Sequence, residues 1–147
     1  MSQAYITSIH QHVQEQLDTL GELADNAKQR PLRKIERLAA ERSLQILVEA
    51  AIGVAKHCCK KAGKASSGDA YRNLLTTHDL LSSNIPHATL KGAVGMRNAI
   101  VHDYLNLDWT RIETVIVNKH YEAMGEFVEH LHANCIIHNH HYPLIRY

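Results

Sequence analysis

Aromatic side chains are scarce in this 147-residue chain, which has six Tyr, one Trp and a single Phe. Its core must therefore be built largely from Leu, Ile, Val and Ala. With no period-2 alternation anywhere, that favours helices. Cysteine is also sparse: Cys58, Cys59 and Cys135 are odd in number and two are adjacent, so no disulfide framework is implied. Adjacent Cys on a helix diverge and lack C-x2-C spacing, which argues against a metal site built from them. No run reaches the roughly 18 apolar residues of a membrane span, and the N-terminus lacks the basic-then-apolar order of a signal peptide. The expected location is the cytoplasm, with no membrane partner. Neither sign of charge dominates: sixteen Lys and Arg against fifteen Asp and Glu leave +1. Affinity for nucleic acid must then come from a local patch rather than from the bulk field.

What is present reads as one soluble unit, 45% hydrophobic and 21% charged, long enough for a single core. Ile6, Ile9, Val13, Leu17, Leu20 and Ala24 form the stripe of an amphipathic first helix ending near Asp25-Asn26, with Ser2 as N-cap. Pro31 suits the first turn of a second helix that runs to about Cys59, with Gly63 beyond its end. Asp69 caps a short third helix to about Leu81, and Pro86 starts a fourth. A fifth follows from a Thr110/Glu113 capping box, with Ile112, Val115, Ile116, Ala123, Phe127 and Leu131 at helical spacing. The expectation is an all-α, up-and-down bundle of about five helices over residues 1–135. A His-rich tail over 136–147 contains His138, His140 and His141. Such an end either binds metal or is a loose or docked tail.

Chemistry concentrates in Arg97, Asn98, His102, Asp103 and Tyr104 of the fourth helix. Arg97 offers a permanently charged fork matched to phosphate oxygens. His102 can exchange a proton near neutrality. Together they fit RNA cleavage by the adjacent 2′-hydroxyl. The same two residues also suit a solvated cation and a partly buried ring. Residues five apart on a helix lie about 140° from each other, so these two converge only if the helix loosens before His102 or a second copy of the chain completes the site. Asn98 either orients the ring and phosphate or makes a helix-terminal bond, and Asp103 either sharpens His102 as a base or caps. Lys28, Arg30, Arg33, Lys34 and Arg37 form the best basic patch, or the solvated start of a helix. Lys56, Lys60, Lys61 and Lys64 form a weaker one.

Arg97-Asn98, three residues, then His102-Asp103-Tyr104 resembles the R-x4-H-x-Y signature of the HEPN superfamily, in particular its HepT-like toxins. Glu41 through Gln45, with Glu49 through His57, resembles that family's second helix, and Ala70-Tyr71-Arg72 the start of its third. The similarity covers Glu41 to about Phe127. It implies a homodimer in which Arg97 and His102 line a shared cleft, Asn98 and Asp103 support them, and no metal or other cofactor takes part. The implied activity is a metal-independent endoribonuclease toxin of a toxin-antitoxin system. The implied partners are RNA and a minimal nucleotidyltransferase antitoxin, for which Tyr104 is the hydroxyl modified with AMP. The alternative is a non-catalytic dimeric module that binds nucleotides or the nucleotidyltransferase. One departure stands out: Gly53 lies where relatives commonly carry an acidic residue, leaving Glu49 and His57 as the polar candidates of that helix.

Overall fold

The computed structural model describes residues 3–64 and 68–146, and for residues 3, 6 and 136–146 the backbone alone. The expected Ser2 cap and the side chains of the His-rich run lie outside the described residues. Six α-helices follow in order: α1 (Gln3–Gln29), α2 (Lys34–Lys61), α3 (Ala70–Leu80), α4 (His87–His102), α5 (Trp109–Val117) and α6 (Glu122–Arg146). A one-turn 3-10 helix (Tyr104–Asn106) sits between α4 and α5. No strand occurs among the described residues. At 28 residues α2 is the spine, touching α1, α3, α4 and α6. The all-α bundle is as expected, but the fifth helix is two.

Helix ends explain both the agreement and the difference. Two helices close with the same pair of bonds past their last turn, Gly63 N–H to Lys60 O with Lys64 N–H to Cys59 O for α2 and Lys119 N–H to Ile116 O with His120 N–H to Val115 O for α5, and α3 closes with the longer bond alone, Ser83 N–H to His78 O. Each needs a left-handed residue, supplied by Gly63, Ser82 and Lys119 at φ 72°, 55° and 55°. Gly63 announces itself in the sequence. Lys119 does not, so the break between α5 and α6 is invisible to residue type. At the N-termini, Asp69 accepts from Tyr71 N and Arg72 N as expected, whereas Asp108, not Thr110, caps α5.

Pro31 precedes α2 rather than entering it, because a carboxylate sets the start at Lys34. Glu36 Oε1 accepts from Arg30 Nη1 and from the Arg33 backbone N–H, both at 2.8 Å, while Oε2 accepts from Arg30 Nη2 at 3.0 Å and Asn26 Nδ2 at 3.2 Å. This two-pronged pair ties the end of α1 to the first turn of α2 and holds the Glu36 carboxyl at about 2. Its stabilisation is complete above the ordinary carboxyl value of 4.5 and is lost as pH falls through about 2, because the unfolded chain takes up the proton first. The urea midpoint of Glu36→Gln should therefore lie below wild type at pH 7 and meet it near pH 2. A constant gap would refute this.

The core runs through Leu20, Leu47, Leu74, Leu90, Ile112, Ile116, Phe127 and Leu131, all sealed from solvent. Buried Thr77 on α3 is satisfied by the Ala55 carbonyl of α2 at 3.0 Å and its own Asn73 carbonyl at 2.9 Å. It thus positions α3 against the spine without leaving a polar group unmet.

Candidate functional site

Leu90, Val94 and Ile100 anchor α4 in the core, which leaves the opposite face of the helix in solvent. That face carries Ala88, Lys91, Gly92, Gly95, Asn98 and His102, all exposed. The helix stays regular through His102 and ends at Asp103, whose N–H still reaches Ala99 O at 3.0 Å. No loosening precedes His102, so within one chain the two side chains do not converge by that route. Asn98 and His102 are one turn apart on the exposed face, with Arg97 about 140° away around the axis.

Arg97 is half-buried, and its Nε is sealed from solvent with no hydrogen-bond partner among the described residues. It lines a cavity of about 560 Å³ walled by Leu44, Leu47 and Val48 of α2, by Met96 and Ile100 of α4, and by Tyr121 and Met124. Arg111 and His120 lie on the same wall. A guanidinium beside apolar walls is pre-shaped for an anion, because its charge is poorly screened there. Asp103 does not contact His102 through any observed bond; its Oδ1 accepts from Asn106 Nδ2 at 2.8 Å and fixes the 3-10 turn that follows.

That turn presents Tyr104, 50% exposed, beside the first half of α2. The Glu41 carboxylate lines the same cavity and raises the phenol above its ordinary value of 10.0. A second cavity of about 560 Å³ opens here, lined by Lys34, Arg37, Glu41, Tyr104 and Trp109 among others. Arg37 lies over the Trp109 ring, 4.9 Å from its centre. Glu41→Gln should return the Tyr104 titration toward the ordinary phenol value, read as tyrosinate absorbance. An unchanged titration would show that the carboxylate does not act on the hydroxyl.

Trp109 and Arg111 were not singled out by residue type, and Arg37 and Glu41 were named only within a basic patch and a family resemblance, yet for Glu41 one signal was present. Glu41 is only 8% exposed and falls in register with the inward residues Leu44, Val48, Ala51 and Ala55, so a carboxylate occupies a core stripe of an otherwise apolar helix face. The named candidates of that helix sit elsewhere. Glu49 is exposed and accepts from Gln45 at 3.2 Å. His57 is buried against the Tyr5 ring, which pushes its protonation down. A side chain at Gly53 would meet the Tyr5 hydroxyl at 3.4 Å, so that position is filled by α1 rather than facing α4. The basic run is divided too: Arg30 and Arg33 turn to Glu36, while Lys34 and Arg37 face the Tyr104 cavity.

A similar architecture occurs in two solved structures. One is a crystal structure of a toxin-antitoxin with AMP-PNP, 20% identical, covering 86% of this chain and 96% of that one at a TM-score of 0.74. The other is the tri-AMPylated HEPN toxin of Shewanella oneidensis in complex with its MNT antitoxin, 21% identical, covering 87% and 96% at a TM-score of 0.75. No curated protein matches the sequence. The family model described as ribonuclease HepT-like matches residues 10–131, most of the chain and all of the Arg97–Tyr104 segment. That match spans well over half of the sequence, and this chain belongs to the ribonuclease HepT-like family.

Proposed function

We infer that this protein is the endoribonuclease toxin of a toxin-antitoxin pair, acting as a homodimer. The carrying observation is the exposed face of α4, on which Gly92 and Gly95 allow close approach of a second helix beside Asn98 and His102. The proposed dimer pairs the Arg97 of one chain with the His102 of the other, reached from the edge of the α4 contact because the two residues lie about 140° apart around the helix. In that cleft His102 removes the proton from a ribose 2′-hydroxyl, whose oxygen attacks the adjacent phosphorus. Arg97 meets the charge developing on the phosphoryl oxygens, and Asn98 holds the phosphate or the ring. The 5′-oxygen leaves with a proton from water, and His102 gives the one it took back to solvent, so the products are a 2′,3′-cyclic phosphate and a 5′-hydroxyl. No step calls for a metal.

The partner is a minimal nucleotidyltransferase antitoxin, which adds AMP to Tyr104. Modification replaces the hydroxyl proton and sets a phosphodiester in the cavity that Glu41 also lines. The added negative charge at the cleft repels RNA. Lys34 and Arg37 line the same cavity and are placed to receive the new phosphate. Membership of the HepT-like family and the Arg97–Tyr104 arrangement support this reading. A non-catalytic nucleotidyltransferase-binding dimer is the alternative, favoured by the divergence of Arg97 and His102 within one chain. End-group analysis of RNA incubated with the purified protein separates them: 2′,3′-cyclic ends are expected. Intact RNA, or 3′-hydroxyl ends, would overturn the proposed chemistry.

A further inference from the structure

At the opposite end of α4 from His102, three donor atoms of different residues meet. His78 Nδ1 lies 2.9 Å from Asp79 Oδ1, and His87 Nε2 lies 3.2 Å from each of them. His78 and Asp79 occupy the last turn of α3, and His87 is the first residue of α4. Among the described residues this is the one group of three such side chains with donor atoms mutually within 4.8 Å.

The protonation of His78 is dictated by its other nitrogen. Nε2 is 2.6 Å from the Ile85 carbonyl, which can only accept. Nε2 therefore carries the hydrogen, and in the neutral ring Nδ1 carries the lone pair. That lone pair faces a carboxylate oxygen at 2.9 Å, an arrangement of two acceptors that needs a cation between them. The triangle has the right size. Ligands about 2.1 Å from a tetrahedral ion lie roughly 3.4 Å apart, and adjacent ligands of an octahedral one roughly 3.0 Å. Two of the observed edges, 3.2 and 3.2 Å, fall between these, and the third, 2.9 Å, lies at the octahedral end.

The frame is already built. His130 Nε2 on α6 bonds the Leu81 carbonyl at 2.6 Å, and the Ser83 hydroxyl accepts from Ile85 N–H at 3.2 Å, so the connection from α3 to α4 is held from both sides. A ring nitrogen fixed by a backbone carbonyl is the usual outer support of a metal-binding histidine. The end of α3 also presents its carbonyl pole, which favours positive charge.

We propose that His78 Nδ1, Asp79 and His87 Nε2 bind a divalent transition-metal ion of the zinc or nickel class, clasping α3 to the start of α4. Two imidazoles and one carboxylate suit such ions and not the hard cations magnesium and calcium. The site lies about 22 Å along α4 from His102, so the ion stabilises the bundle and takes no part in RNA cleavage.

The His-rich C-terminal run is a competing chelator, so the test uses the full-length protein with His138, His140 and His141 each changed to Gln. Calorimetric titration with Zn²⁺ should show one site per chain, and Zn²⁺ should raise the melting temperature. Adding Asp79→Asn or His87→Gln should weaken binding at least tenfold and remove the thermal shift. Both positions are exposed, and circular dichroism confirms that the variants stay folded. If the tail-substituted protein takes up no Zn²⁺, or either added substitution leaves binding unchanged, the proposal fails. In the first case a proton shared by His78 and Asp79 is the cation in that gap.

Discussion

His102→Ala should lower RNA cleavage by about 10²–10⁴-fold, the worth of a positioned acid-base group, while the protein keeps its fold. The side chain is exposed at the last position of α4 and packs against nothing that the core needs, so the stability change should stay within about 0.5 kcal/mol. Arg97→Ala should cost about 3–4 kcal/mol of transition-state stabilisation, and Arg97→Lys should not restore it, because a point charge does not reproduce the planar fork. The two losses share a stricter prediction. In the proposed symmetric dimer each cleft would take its Arg97 from one chain and its His102 from the other. Mixing and re-annealing the two dead variants should then create heterodimers with one intact cleft, recovering about a quarter of wild-type turnover. No recovery, with both variants folded and exchanging subunits, would mean that the two residues do not cooperate across an interface.

Phe127→Ala should destabilise the protein by about 3–5 kcal/mol, read from urea unfolding. Against a total of roughly 5–15 kcal/mol for a domain, that approaches the whole margin. The reason is composition. Phe127 is the single Phe of the chain and is completely buried on α6. The other aromatics are tyrosines and one tryptophan that keep a polar edge. Phe127→Leu keeps most of the volume and should cost under about 2 kcal/mol. If Ala and Leu cost the same, the site collapses around small side chains and the centre of the core lies elsewhere.

Much of the bundle was legible because its cues are local. The apolar stripe of α1, Asp69 before α3 and Gly63 after α2 are statements about a few neighbouring residues, and the structure carries each of them out. Where a tertiary partner decides, residue type misleads. The carboxylate of Glu36, not the ring of Pro31, starts α2, because Arg30 and Asn26 reach it from α1. Lys119 breaks the last helix by adopting a left-handed backbone that a lysine does not advertise. The candidate site divides the same way. Arg97, Asn98, His102, Asp103 and Tyr104 stand together in the chain and were found together. Glu41 stands more than sixty residues from Tyr104 and meets it only after folding.

The sequence alone determined that this chain is a helical bundle with one chemically loaded segment on its fourth helix, since periodicity, caps and motif spacing act over a turn or two. Only the tertiary structure decided which of that segment's groups face solvent, which carboxylate acts on the tyrosine hydroxyl, and that His78, Asp79 and His87 converge. Those outcomes depend on contacts between helices. Their distances are set by how aliphatic side chains fill the core, and no local pattern of residues records them.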